Sequence, residues 1–226
     1  MRRYFTLLEI MLWCFSVALI IASFLIFDRE SYLTLVASVL GATFLILNAK
    51  GNPLGQLLTI IFSILYGIIS YSCDYYGEMI TYLGMTAPMA ALALVSWIRN
   101  PFEGNRSEVE VSKLSRRDVI LTPTLATITT VIFYFILKVF NTANLYPSTL
   151  SVTTSFVAVF LTYKRSPYYA LGYAANDLVL VYLWILASKE NSAYISVVVC
   201  FATFFVGDMY GFLNWKRMEK RQGSAQ

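Results

Sequence analysis

The sequence predicts an all-α polytopic membrane protein of eight transmembrane helices, in which a three-helix unit occurs twice in parallel around one linking helix, with one further helix at the N-terminus. Three observations carry that reading. Eight apolar stretches are each long enough to cross a hydrocarbon layer of about 30 Å. Lys and Arg collect almost wholly on one side of them. Residues in the second to fourth stretches recur at near-constant spacing in the sixth to eighth.

Composition sets the bounds. The 226 residues are 58% hydrophobic and 13% charged, with mean hydropathy +0.64, as befits a chain that lies mostly in lipid. The longest polar stretch, Arg99 to Arg117, is too short to bury a core, which excludes a separate soluble catalytic domain. The net charge of +4 sits at the ends of apolar stretches, where it sets topology rather than binding nucleic acid. Histidine is absent, which removes the commonest metal ligand and proton shuttle. Cys14, Cys73 and Cys200 are isolated and odd in number, so they read as packing residues rather than a disulfide framework or a metal site. No metal or cofactor is expected.

In chain order the stretches are Thr6 to Phe27, Tyr32 to Asn48, Leu54 to Ser72, Glu78 to Ile98, Asp118 to Phe140, Pro147 to Tyr163, Tyr168 to Ala187 and Tyr194 to Asn214. The first follows Arg2 and Arg3 but lacks a small-residue cleavage pattern, and is expected to remain as an anchor. Lys50-Gly51-Asn52-Pro53 and Lys164-Arg165-Ser166-Pro167 are turns that place a proline at a helix start. Pro88 is expected to kink the fourth span. With both termini in the cytoplasm, only Arg29, Lys138 and Lys189 face outward. Tyr4, Tyr75, Tyr76, Trp97, Tyr146, Tyr168 and Trp215, near segment ends, fit an aromatic belt.

The repeat gives the organisation. Leu47, Lys50 and Pro53 return 114 positions on as Leu161, Lys164 and Pro167; Trp97 and Arg99 return 118 positions on as Trp215 and Arg217. Three crossings reverse the chain's side, so two parallel units need one helix between them, and Asp118 to Phe140 supplies it. The expected divisions are an added helix (1–30), a first unit (31–99), a cytoplasmic loop (100–117), the linking helix (118–141), a second unit (142–217) and a cytoplasmic tail (218–226). Repeats of this kind place substrate between them near the midplane.

Polar side chains mark such a place. Gln56, Thr59, Ser63, Tyr66 and Ser70 share one face of the third helix, and Tyr169, Gly172, Tyr173 and Asn176 one face of the seventh. Asp177 adjoins that face, roughly 15 Å along the helix from Pro167 and so near mid-membrane, and the repeat pairs it with Ser63. Asp208 on the eighth helix lies about 10 Å from Trp215, still within hydrocarbon. The plainer account of the Ser and Thr residues is bonding to their own helix, and of Gly207 and Gly211 close helix packing. The fifth-helix threonines hold no common face and read as packing.

Three classes can use such a site. A small-solute transporter explains the repeat and the paired polar faces together. An intramembrane aspartyl protease would use Asp177 and Asp208 as a dyad, but its motifs are absent. A retinal protein needs a lysine deep in the last helix, and none precedes Lys216.

The run from Gly207 to Glu219, the loop Tyr75-Tyr76-Gly77-Glu78, the end Trp97-Ile98-Arg99-Asn100 and the span holding Asn176-Asp177 together resemble the PnuC family of bacterial vitamin transporters, over about Tyr32 to Glu219. The resemblance implies a fold like a full-length relative of the SWEET sugar transporters, a homotrimer in the bacterial inner membrane, and facilitated diffusion of nicotinamide riboside for NAD biosynthesis. Uptake would be trapped by a separate cytoplasmic riboside kinase. Where riboside carriers often have Trp-x-x-Trp early in the seventh span, this chain has Tyr169 and Gly172, with Asn176 at the polar position; thymidine and riboflavin, or proton-coupled entry, stay open. The expected substrate contacts are Asn176, Asp177, Tyr169, Tyr173, Gln56, Ser63, Tyr66 and Asp208.

Overall fold

The computed structural model describes residues 4–72, 75–142 and 144–224; Arg2, Arg3 and Cys73 lie outside them. Eight helices among the described residues are long and apolar enough to cross a membrane: Leu7–Asp28, Tyr32–Ala49, Pro53–Ser72, Tyr76–Arg99, Arg116–Val139, Leu145–Tyr163, Tyr169–Ser188 and Ser192–Gly223, the first to eighth helices below. The last outruns its apolar stretch, because its charged final turns are held by partners described below.

Capping boxes start two of them. Thr6 Oγ1 accepts the Glu9 N–H at 3.2 Å while the Glu9 carboxylate accepts the Thr6 N–H at 2.7 Å, and Ser115 and Asp118 repeat this before the fifth helix. The second and sixth helices end alike. Asn52 N–H donates to Leu47 O, and Ser166 N–H to Leu161 O, both at 3.0 Å, after a left-handed residue, Gly51 in one turn and Arg165 in the other. In the fourth helix, where a kink is expected at Pro88, the structure has a π-helical stretch, Tyr82–Thr86, just before that residue. Proline cannot donate to the preceding turn, and the wider turn absorbs the mismatch.

The loop after the fourth helix holds a hairpin the sequence reading did not foresee. Strands β1 (Pro101–Phe102) and β2 (Asn105–Val109) pair antiparallel. Glu103 and Gly104 both take positive φ between them, as tight hairpin turns require. The fully buried Val109 donates its N–H to Gly51 O at 2.9 Å, and Ser112 donates to Arg165 O at 3.0 Å. The loop is thus stitched to both matching turns. Gln222 on the eighth helix accepts the Val111 N–H at 2.7 Å and donates to Val109 O at 3.1 Å.

Six helices close a ring. The second packs on the third, the third on the fourth, the fourth on the sixth, the sixth on the seventh, the seventh on the eighth and the eighth on the second. The first helix lies outside against the second and eighth, and the fifth lies outside against the sixth. The outward residues of the fifth, Ile120, Ile132 and Phe135 among them, are exposed and apolar, as a span requires.

The core holds two aromatic clusters. Phe44, Phe62, Tyr66, Tyr82, Trp184, Phe201 and Phe204 fill the ring centrally and away from the hairpin, and Trp97, Tyr169 and Trp215 meet Val109 and Met218 at the hairpin end. Here one expectation is corrected. Trp97 and Trp215 are 0% exposed and form no belt, because each indole has a partner inside. Trp97 Nε1 donates to Thr162 O at 3.0 Å and Trp215 Nε1 to Asn48 O at 2.8 Å. Beside them Ser96 Oγ donates to Tyr163 O at 3.1 Å and Asn214 Nδ2 to Ala49 O at 2.7 Å.

Candidate functional site

Near the mid-length of the ring helices lies a cavity of about 30 Å³. Its polar lining is Asn48 from the second helix, Thr59 and Ser63 from the third, Thr86 from the fourth, Ser155 from the sixth, Tyr173, Asn176 and Asp177 from the seventh, and Asp208 from the eighth. Phe44, Phe62, Tyr82, Phe201 and Phe204 supply aromatic walls. Small-molecule sites start at about 300 Å³, so the ring as it stands is closed upon this space.

Five of the eight expected contacts line this space: Ser63, Tyr173, Asn176, Asp177 and Asp208. Gln56, Tyr66 and Tyr169 do not. Gln56 donates Nε2 to Asn48 Oδ1 at 2.9 Å and is a neighbour of the lining through that bond. Tyr66 accepts the Trp184 Nε1–H at 2.6 Å, on the side away from the hairpin. Tyr169 packs on Trp215 with ring centroids 4.9 Å apart, toward the hairpin. Helical periodicity assigns a face, and these residues share that face but differ in depth.

Two hydroxyls of the third-helix stripe, those of Thr59 and Ser63, follow the plainer account, while Ser70 Oγ is buried without a partner. Thr59 donates to Gly55 O at 2.9 Å and Ser63 to Thr59 O at 2.8 Å. On the fifth helix Thr122, Thr124, Thr127 and Thr130 do the same, bonding to Asp118 O, Ile120 O, Pro123 O and Ala126 O. Gly207 lies against Leu45, and Gly211 against Ala49 and Ala170, where the eighth helix meets the second and seventh.

Asn176 is held from the sixth helix. Its Oδ1 accepts from Thr154 Oγ1 and Ser155 Oγ, both at 2.9 Å, and from Ser151 Oγ at 3.3 Å. With the carbonyl so occupied, its amide N–H groups are what it has to offer a solute. Asp177 and Asp208 come to this cavity from the seventh and eighth helices. Asp177 Oδ2 is buried without a hydrogen-bond partner.

The sequence reading missed Asn48, the serine and threonine donors of the sixth helix, and Glu78. Ser148, Ser151, Ser155 and Thr162 are all buried, and their spacing marked a polar face as plainly as that of the third helix. Glu78, taken as the edge of a span, is buried near Ser151. Asn48 closed an apolar stretch and carried no periodic signal.

A closed ring of helices long and apolar enough to cross a membrane, around a polar, aromatic-walled cavity, is the architecture of a polytopic membrane protein. The chain belongs to the nicotinamide mononucleotide transporter family, whose model matches residues 31–217. It is 25% identical over 201 residues to the nicotinamide riboside transporter PnuC of Neisseria mucosa, covering 87% of this chain and 76% of that protein. To the nicotinamide riboside transporter PnuC of Haemophilus influenzae it is 20% identical over 193 residues, 85% of this chain and 82% of that one. A crystal structure of the vitamin B3 transporter PnuC superposes with a TM-score of 0.84 at 22% identity, over 96% of this chain and 94% of the other, and so shares its fold. The first helix precedes the matched residues.

Proposed function

We propose that the chain carries nicotinamide riboside across the bacterial inner membrane by facilitated diffusion, through alternating access of two three-helix units around the central cavity. The observation that carries this reading is the cavity itself. It joins amide, hydroxyl and carboxyl groups, which suit a carboxamide and a ribose, to rings that suit a pyridinium. The units are residues 31–99 and 142–217, a parallel 3+1+3 repeat linked by the fifth helix. In its support, each unit donates through Trp97 and Ser96, or Trp215 and Asn214, to equivalent carbonyls of the other.

Orientation follows from charge. Lys50, Arg99, Arg106, Lys113, Arg116, Arg117, Lys164 and Arg165 gather with the hairpin, which we assign to the cytoplasm together with both termini. Asn176, Asp177, Tyr173, Ser63 and Asp208 form the binding site, with Gln56 behind it and Tyr66 and Tyr169 beyond its two ends. The sequence resemblance adds a homotrimer and a cytoplasmic kinase that phosphorylates the riboside and so prevents its return. Asp177 and Asp208 are a pair an aspartyl protease would also need, but the motifs of that class are absent from the sequence.

The test is uptake of labelled nicotinamide riboside into proteoliposomes, competed with thymidine and riboflavin. Saturable uptake down the riboside gradient, blocked by excess unlabelled riboside, is the expected result. Preferential inhibition by thymidine or riboflavin would reassign the substrate, a steep dependence on an imposed proton gradient would overturn facilitated diffusion, and no uptake of any of the three would sink the reading.

A further inference from the structure

The hairpin end holds a second cavity, of about 360 Å³, which the central site does not use. Its walls come from four parts of the chain: Tyr4 ahead of the first helix, Lys50 at the turn after the second, strand β2, and the end of the eighth helix. Lys50, Arg217 and Arg221 bring positive charge to it, against the single carboxylate of Glu108. These cations are not equally committed. Lys50 Nζ pairs with Glu9 Oε1 at 3.1 Å, and Arg221 pairs with Glu108. Glu108 Oε1 also accepts from Gln222 Nε2 at 2.9 Å, so its charge is already answered. The exposed Arg217 guanidinium makes no ion pair among the described residues, which leaves the cavity with a positive charge unbalanced.

Arg217 and Arg221 lie one helical turn apart on a common face. Each ends in a planar fork of N–H donors suited to paired oxygens, and Arg217 has spent none of its donors on an ion pair. The Asn105 amide and the Ser107 hydroxyl add neutral donors from β2. A phosphate group matches such a place, since it presents several strong acceptor oxygens and at least one negative charge to donors arranged around it. The volume leaves room for part of a molecule attached to that group. We propose that this cavity at the hairpin end binds a phosphate group, carried by a soluble sugar phosphate or by the headgroup of an anionic lipid. Bound there, the phosphate ties β2 to the eighth helix and to the turn at Lys50.

Thermal melts of the whole chain in a neutral detergent test this, with ribose 5-phosphate compared with ribose at matched ionic strength, and phosphatidylglycerol compared with phosphatidylcholine. A saturable rise of about 3–6 °C is expected at tenfold excess over the dissociation constant. Arg217→Gln should abolish the rise, and Lys220→Gln, which removes a cation outside the lining, should keep it. Gel filtration checks that both variants are folded, and the wild-type titration is a test without them. A rise with ribose 5-phosphate upholds the site as one for a soluble ester; a rise with phosphatidylglycerol alone upholds it as one for a lipid. No rise with either in the wild type, the same rise in Arg217→Gln, or an equal loss in both variants would overturn the proposal.

Discussion

Trp97 and Trp215 stand with ring centroids 5.3 Å apart, and each sends its indole N–H across to the turn that ends another helix, Trp97 to the sixth and Trp215 to the second. The acceptors, Thr162 O and Asn48 O, also accept from their own turns, Arg165 N–H and Gly51 N–H, both at 2.9 Å. Trp97→Phe or Trp215→Phe therefore removes one bond without orphaning a carbonyl. Each should cost about 1–2 kcal/mol. At roughly 2–4 °C per kcal/mol for a chain of this size, a thermal melt in detergent would show a drop of several degrees. The two losses should be alike, and a much larger effect of one would break the equivalence of the units.

Glu9 gives a second prediction. It is 1% exposed and accepts from Lys50 Nζ at 3.1 Å and Tyr210 Oη at 2.9 Å, which binds the first helix to both helices it touches. Glu9→Gln strips a part-buried lysine of its counter-charge. A loss of about 3 kcal/mol is expected, and a Glu9→Gln/Lys50→Met double-mutant cycle should return a coupling of at least about 1 kcal/mol. Additive losses would show the ion pair to be incidental.

Close helix approach makes a third. A methyl group placed on Gly172 would lie 2.8 Å from Ala158 Cα, a backbone atom that cannot swing aside. Gly172→Ala should force the sixth and seventh helices apart at a cost of about 1–3 kcal/mol, whereas Gly211→Ala meets only ordinary contacts at 3.6 Å or more and should be tolerated. Comparing the two melts decides whether spacing or glycine content matters.

Asn176 makes a fourth. Asn176→Ala removes the amide donors and leaves the Thr154 and Ser155 hydroxyls without their shared acceptor. Riboside affinity measured by calorimetry should fall roughly tenfold, the worth of one hydrogen bond near 1.4 kcal/mol, in protein that stays monodisperse. Unchanged affinity would remove Asn176 from the site.

Much of this architecture was legible from the chain. Eight spans and the twin turns at Lys50 and Lys164 follow from hydropathy, charge and recurrence, which depend on neighbours in sequence. What escaped depends on depth and on partners distant in the chain. Tyr169 and Tyr66 lie on the expected faces, yet one packs under Trp215 and the other beside Trp184. Trp97 and Trp215 resembled interfacial anchors because their buried acceptors lie on other helices. The hairpin was hidden in a polar stretch whose few apolar residues, Phe102, Val109, Val111 and Leu114, are scattered and form no run.

That hairpin would give the proposed alternating access a stiffer side. Through Val109 and Ser112 it fastens Gly51 to Arg165 with backbone bonds, each worth about 0.5–1.5 kcal/mol net. Two arms fastened at one extremity spread most easily at the other, as tweezers do, so the end remote from the hairpin is the cheaper to part. Parting the hairpin end means undoing the fastening or carrying it along. The two directions of opening are mechanically unequal even where the arms themselves match.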